Sequence, residues 1–153
     1  MKSRSPILCR PVVLALAVLA LALVAGQSAP KARAAEMAGR PSHQVLACYF
    51  HRTVRCPTCQ RISAYIEEAL RANFAEELKA GAVKVSVIDF QDPRNQRYTQ
   101  AYQIAGPTLV ILDVRDGKVR AWKTAPKVWS LVGKKDDFFR YVRSEIQSYL
   151  EAP

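Results

Sequence analysis

"QVLACYFHRTVRCPTCQRI", residues 44–62, governs how the rest of the chain is read. Its first half, "QVLACYFH", is an apolar run rich in β-formers, which predicts a strand buried on both faces. Its second half sets Cys56 and Cys59 two residues apart among Arg52, Arg55 and Arg61. Pro57 stands where a helix can begin, since a proline in the first turn gives up no hydrogen bond that the helix needs. Beyond it Ile62, Ile66, Leu70, Phe74 and Leu78 recur every fourth residue, with Tyr65 and Ala69 alongside. That spacing predicts one long amphipathic helix ended by Gly81. The cysteines therefore fall at a strand-to-helix junction, with Cys56 at the helix N-cap.

Downstream, "VKVSVIDF" (Val83 to Phe90) predicts a second strand. Asp92-Pro93 is a cap-and-first-turn signal for a short helix reaching about Tyr102. "PTLVILDV" and "KVRAWK" predict two strands joined through Asp116-Gly117, a strong hairpin signal. Phe138, Val142, Ile146 and Leu150 mark the apolar face of a terminal helix beginning near Asp136. The order β-α-β-α-β-β-α predicts an α/β protein with a central mixed sheet flanked by helices. The first two strands, linked by a helix, should be parallel, and the last two antiparallel.

The N-terminal stretch has a different character. Lys2, Arg4 and Arg10 precede "VVLALAVLALALVA", an uncharged apolar run from Val12 to Ala25. A basic region, a short apolar core and then small residues read as a secretory signal, with "ARA" at 32–34 a candidate cleavage site. A membrane span needs roughly 20 apolar residues, so a retained anchor is the strained alternative. The expected organisation is a signal over residues 1–35, a flexible linker over 36–43 and one domain over 44–153. The expected location is the periplasm or another extracytoplasmic compartment. There disulfides persist, and with Cys9 in the signal the remaining Cys48, Cys56 and Cys59 suggest one close pair plus a spare thiol.

The chain carries 23 Lys and Arg against 13 Asp and Glu. Five of those bases and no acid precede Glu36, which leaves 18 against 13, or +5, for the rest. The bases are scattered and no aromatic-rich basic stripe accompanies them. Nucleic-acid binding, which needs a concentrated patch, is not expected.

At the start of a helix, unpaired backbone N–H groups and the positive dipole end favour a thiolate at Cys56. The arginines and His51 reinforce this, and no acidic residue lies between Glu36 and Glu67. A thiolate is the attacking species in disulfide exchange. Cys59, one turn on and deeper, should keep a higher pKa and act as the resolving thiol. The alternatives have weaker support. A structural zinc site needs two further ligands, and no second pair stands at ligand spacing. A structural disulfide closing so short a loop would constrain the unfolded chain little. A dithiol carrier of Cu(I) or trivalent arsenic is chemically reasonable.

From about Val45 onward the chain resembles the thioredoxin-fold proteins, through "VLACYF", "CPTC" opening a long helix, "VIDFQDPRNQRYTQAYQIAGPTLVIL" and the closing hairpin and helix. The resemblance implies that Pro107 occupies the family's cis-proline position against the cysteine pair. It also implies that the Gly106 backbone hydrogen-bonds a bound peptide. A narrower similarity, through "YFHRTVRCPTCQRI", "FAEELKAG" and "KVWSLVGKKDDFFRYVRSEI", is to exported bacterial proteins described as the ArsF-like family. That family is named for a nitrophenyl-compound nitroreductase subunit, and the similarity implies a membrane partner or aromatic or arsenical substrates. Some family features are replaced. Tyr49 and Phe50 stand near the usual buried aspartate of the first strand, Arg55 replaces the tryptophan before the pair, and Ala64 takes the place of the helix proline. "IAGPT" is one residue shorter than the common loop.

Among the other candidates, Cys48 reads as a core thiol. His51 could hydrogen-bond a leaving thiolate, and Thr58 could bond the Cys56 sulfur. Trp122 and Trp129 read as packing residues. The combined expectation is an exported thiol–disulfide oxidoreductase in which Cys56 attacks and Cys59 resolves. Pro107, Gly106, Thr58 and Arg55 would bind substrate. No metal and no organic cofactor are implied, because the cysteine pair carries the two electrons itself. The expected partners are proteins with disulfides or thiols and a membrane electron-transfer protein, and the chain is expected to be a monomer. The rival readings are a dithiol carrier of copper or arsenic, and an electron-transfer subunit of a membrane reductase.

Overall fold

The computed structural model describes residues 41–152. The expected signal and most of the linker lie outside the described residues. Among the described residues no helix is long and apolar enough to cross a membrane.

The elements run β1 (His43–His51), α1 (Pro57–Asn73), α2 (Ala75–Ala80), β2 (Val83–Asp89), a 3₁₀ turn (Pro93–Asn95), α3 (Gln96–Ala101), β3 (Thr108–Arg115), β4 (Lys118–Thr124), α4 (Val128–Leu131) and α5 (Lys135–Leu150). The four strands form one sheet in the order β2-β1-β3-β4. β1 pairs parallel with β2 and antiparallel with β3, which pairs antiparallel with β4. The helical link between β1 and β2 forces their parallel pairing, and the tight Asp116-Gly117 turn forces the antiparallel one. Both turn residues have positive φ, 51° and 72°, as a two-residue hairpin loop requires.

β1 is the central strand, and alternation sorts its side chains onto two faces. Val45, Ala47 and Tyr49 join Leu109 and Ile111 of β3 beneath Ile62, Ile66 and Leu70 of α1 and Phe138, Val142 and Ile146 of α5. Cys48 and Phe50 face the other way, into a cluster with Val110, Leu112 and Ile104, onto which Tyr98 and Tyr102 pack. α1 and α5 thus cover one face and α3 helps cover the other.

Three features depart from the sequence reading. The apolar stripe from Ile62 to Leu78 is carried by two helices rather than one. The Asn73 amide donates to the Ala69 carbonyl at 2.8 Å, and Phe74 leaves helical geometry (φ −138°, ψ 38°) while its ring stays buried. The short α4 lies between hairpin and final helix, where four residues carry too little periodicity to be seen. Finally, no cis peptide bond occurs among the described residues, so Pro107 is trans. The shortened loop leaves the ordinary preference of an X–Pro bond, about 0.5–1 kcal/mol toward trans, in force.

Candidate active site

The chain leaves β1 at His51 and crosses the exposed residues Arg52, Thr53 and Val54 before α1 begins. Cys56 caps α1 in an extended conformation (φ −74°, ψ 161°), with Pro57 in the first turn. Its sulfur accepts the Cys59 backbone N–H at 3.3 Å, as an N-cap oxygen would. The two thiols are free and lie 2.9 Å apart, in contact yet well outside the roughly 2.05 Å of a disulfide. Cys56 is exposed, whereas Cys59 is buried to 6%.

Their acidities diverge. The Cys56 pKa is lowered, first by the hydrogen bond with the Cys59 thiol and then by the backbone N–H groups of Cys59 and Thr58. Burial raises the Cys59 pKa, and its hydrogen bond with Cys56 raises it further. The pair is therefore asymmetric, with one reachable thiol that ionises easily and one covered thiol that does not. This is the division that attack and resolution require. The groups that depress Cys56 are local donors; the arginines are not among them.

Thr58 contributes to Cys56 through its backbone N–H. His51 turns its Nδ1 onto the Arg52 carbonyl at 2.7 Å, within its own loop. Arg55 reaches back over the pair, with Nη2 making a long contact of 3.5 Å to the Cys59 carbonyl. Cys48 lies on the opposite face of the sheet, and burial pushes its pKa up to about 11.

Gly106 and Pro107 arrive at the same end of the sheet, because Thr108, which follows them, pairs with Phe50 at the end of β1. Space beside Gly106 is open: a Cβ built there would meet nothing within 4 Å. The Pro107 carbonyl accepts the Trp129 indole N–H at 2.9 Å. Trp129 thus tethers the loop, a function that its place in the sequence, 22 residues away, did not signal. Sequence reasoning also gave Tyr49 no role beyond its departure from the family pattern. Its phenol is fully buried and stands against Cys59, close enough that each affects the other's acidity. The strand alternation that puts 45, 47 and 49 on the α1 face was the available signal.

The sheet order, the strand directions and a Cys-Pro-Thr-Cys turn between the central strand and the helix that covers it define a thioredoxin-like fold. No family model matches the chain, and no curated protein matches it significantly. Solved structures similar to it include thioredoxins. That from Thermus thermophilus is 23% identical over 79% of this chain and 85% of its own, with a TM-score of 0.42. Oxidised thioredoxin O2 from Arabidopsis thaliana is 16% identical over 71% and 87%, with a TM-score of 0.40. Fasciola hepatica thioredoxin is 17% identical over 74% and 93%, with a TM-score of 0.37. The fold assignment rests on the topology above.

Proposed function

We propose that the protein is an exported thiol–disulfide oxidoreductase. The observation that carries the reading is the asymmetric pair: an exposed, easily ionised Cys56 at 2.9 Å from a buried, weakly acidic Cys59. In the reducing direction the Cys56 thiolate attacks a substrate disulfide. A Cys56–substrate disulfide forms and the first substrate thiolate leaves. Cys59 then attacks the Cys56 sulfur, closes the intramolecular disulfide and releases the second substrate thiol. Two electrons pass from the cysteine pair to the substrate. The same steps run backward for an oxidant.

Export and an extracytoplasmic location are supported by the basic region and apolar run before Ala25. In that setting a membrane electron-transfer protein would renew the pair, and the similarity to the ArsF-like family favours such a partner. The substrate groove would be formed by Gly106, Pro107, Thr58 and Arg55, with the open space beside Gly106 as the place for an extended chain. Val54, 86% exposed beside the pair, gives the rim an apolar contact for a protein substrate.

A two-sulfur carrier of copper or arsenic is the second reading, favoured by two free thiols already in contact. No group of three or more His, Cys, Asp or Glu side chains suited to a metal occurs among the described residues, so such an ion would have only the two sulfurs. Replacement of Cys59 by Ser separates the readings. An exchange enzyme accumulates mixed disulfides with partner proteins through Cys56, whereas a carrier loses its ion and traps nothing. Absence of trapped partners from the exported fraction would sink the exchange reading.

A further inference from the structure

Two side-chain polar atoms among the described residues are buried with no partner of hydrogen-bond geometry: Tyr49 Oη and Arg55 Nε. Both belong to residues that flank Cys59. Tyr49 lies below it on the face of β1 that packs against α1, with its hydroxyl beside the Cys59 sulfur. Arg55 lies over it, with Nη2 3.5 Å from the Cys59 carbonyl. A buried donor without an acceptor loses its hydration with nothing in return, and native proteins rarely leave one idle. That the unpartnered phenol adjoins the Cys59 sulfur calls for an acceptor that exists only in another state of that sulfur.

We propose that Tyr49 is the hydrogen-bond donor to the Cys59 thiolate that forms during resolution. The proposal rests on the exchange reading above. A neutral thiol is a weak acceptor and leaves the phenol unsatisfied, whereas a thiolate accepts strongly. Burial first, and then the charge of an ionised Cys59, push the Tyr49 pKa upward, so the phenol keeps its proton and is always ready to donate. Donation from the phenol to an ionised Cys59 sulfur would in turn pull the Cys59 pKa downward against the larger effect of burial.

The protons balance without any change at Tyr49. Cys59 gives up its proton to water as its sulfur attacks Cys56. The S–S bond between the two cysteines forms, the bond from Cys56 to the substrate sulfur breaks, and the departing substrate thiolate takes up a proton from water. Tyr49 is thus a donor to the reacting sulfur and not a base.

The test is stopped-flow reaction of the reduced protein with one equivalent of 5,5′-dithiobis(2-nitrobenzoate). Formation of the mixed disulfide at Cys56 releases one coloured thiolate, and resolution by Cys59 releases the second. In Tyr49→Phe the first phase should keep its rate, while the second should have its pH midpoint raised by about one unit. At pH 7 it should slow about threefold, the tenfold loss of thiolate being partly offset by the greater nucleophilicity of the more basic sulfur. Because the hydroxyl has no partner in the resting state, the unfolding midpoint should be unchanged or higher. A second phase with unaltered rate and pH midpoint would overturn the proposal, and so would a lowered unfolding midpoint, which would make the hydroxyl a structural group. If the wild-type protein itself showed no second phase, the exchange reading would fall before Tyr49 came into question.

Discussion

Tyr49 and Asp113 lie on the same face of the sheet and are both buried, yet they are handled in opposite ways. Asp113 pairs across the ladder with Val45, four residues from Tyr49 along β1, which puts the two about 13 Å apart at 3.3 Å per residue. At the Asp113 end everything polar is satisfied. His43 Nε2 meets Oδ1 at 2.9 Å, Arg115 Nε donates to Oδ2 at 3.3 Å, and Arg115 Nη2 continues to the Ala152 carbonyl at 2.8 Å. That cluster ties the start of β1 to the end of β3 and to the chain beyond α5. At the Tyr49 end the phenol and the Arg55 Nε have no partner, and Cys59, whose pKa is raised, stands beside the phenol. Complete hydrogen bonding at one end fixes the sheet; incomplete hydrogen bonding at the other would, in the exchange we propose, leave capacity for a charge that comes and goes. The general lesson is that buried polar groups divide by whether their partners are present in the resting state.

The largest effect should come from Cys56. Cys56→Ser should reduce disulfide exchange, followed as reduction of insulin or a peptide disulfide, to the uncatalysed rate, with the fold unchanged by circular dichroism. The Ser Oγ still caps α1, so a loss of stability would show that the thiol was structural.

Next comes the contrast itself. Asp113→Ala removes the acceptor from two donors and should destabilise the protein by about 2–4 kcal/mol in urea unfolding, with exchange per folded molecule unchanged. Tyr49→Phe should do the reverse, slowing resolution at no cost in stability. If Asp113→Ala proved neutral, the cluster would not fix the sheet and the contrast would fail on that side.

The third prediction concerns pH. Alkylation by iodoacetamide, read by mass spectrometry at each cysteine, should follow the thiolates. Cys56 should react below the ordinary thiol range because its folded pKa is depressed. Cys59 should react only above that range, and Cys48 only as pH approaches about 11. The linkage to stability has opposite signs for the outer two. The lowered Cys56 pKa contributes stability above its unfolded value, lost as pH falls through the folded one. The raised Cys48 pKa contributes stability below the unfolded value near 9.0, lost as pH rises through about 11. Equal reactivity of Cys56 and Cys59 across the range would break the asymmetry on which attack and resolution depend.

Much of this was legible in the sequence for definite reasons. Apolar runs rich in β-formers located the four strands, period-four stripes located α1 and α5, and Asp116-Gly117 located the hairpin. The pair at a strand-to-helix junction followed from those boundaries, because Cys56 then had to be the N-cap. What stayed hidden is tertiary. The Asn73 amide competing for a helical carbonyl, the trans Pro107 and the four-residue α4 leave no periodic trace. Asp113 was a missed signal, since a lone acid inside "VILDV" must be exposed or partnered, and a strand buried on both faces leaves only the second. Tyr49 could be placed on a face by alternation, but only the position of α1 over that face brings its hydroxyl to Cys59.

The smallest expected effect belongs to Trp129. Its indole N–H is the tether on the Pro107 carbonyl, and both groups are partly open to water. An exposed hydrogen bond of this kind contributes about 0.5–1.5 kcal/mol. Trp129→Phe keeps an aromatic ring beside the loop and removes only the donor. If Gly106 and Pro107 bind substrate, a loosened loop loses preorganisation. KM for a peptide disulfide should then rise about two- to tenfold, the range those energies span at 1.4 kcal/mol per tenfold. The rate of Cys56 alkylation, which needs no groove, should stay the same. A change in alkylation without a change in KM would mean that Trp129 supports the cysteine pair and that substrate binds elsewhere. The open space at Gly106 would then be an ordinary surface, and the functional end of the sheet would shrink to Cys56, Cys59, Arg55 and Tyr49.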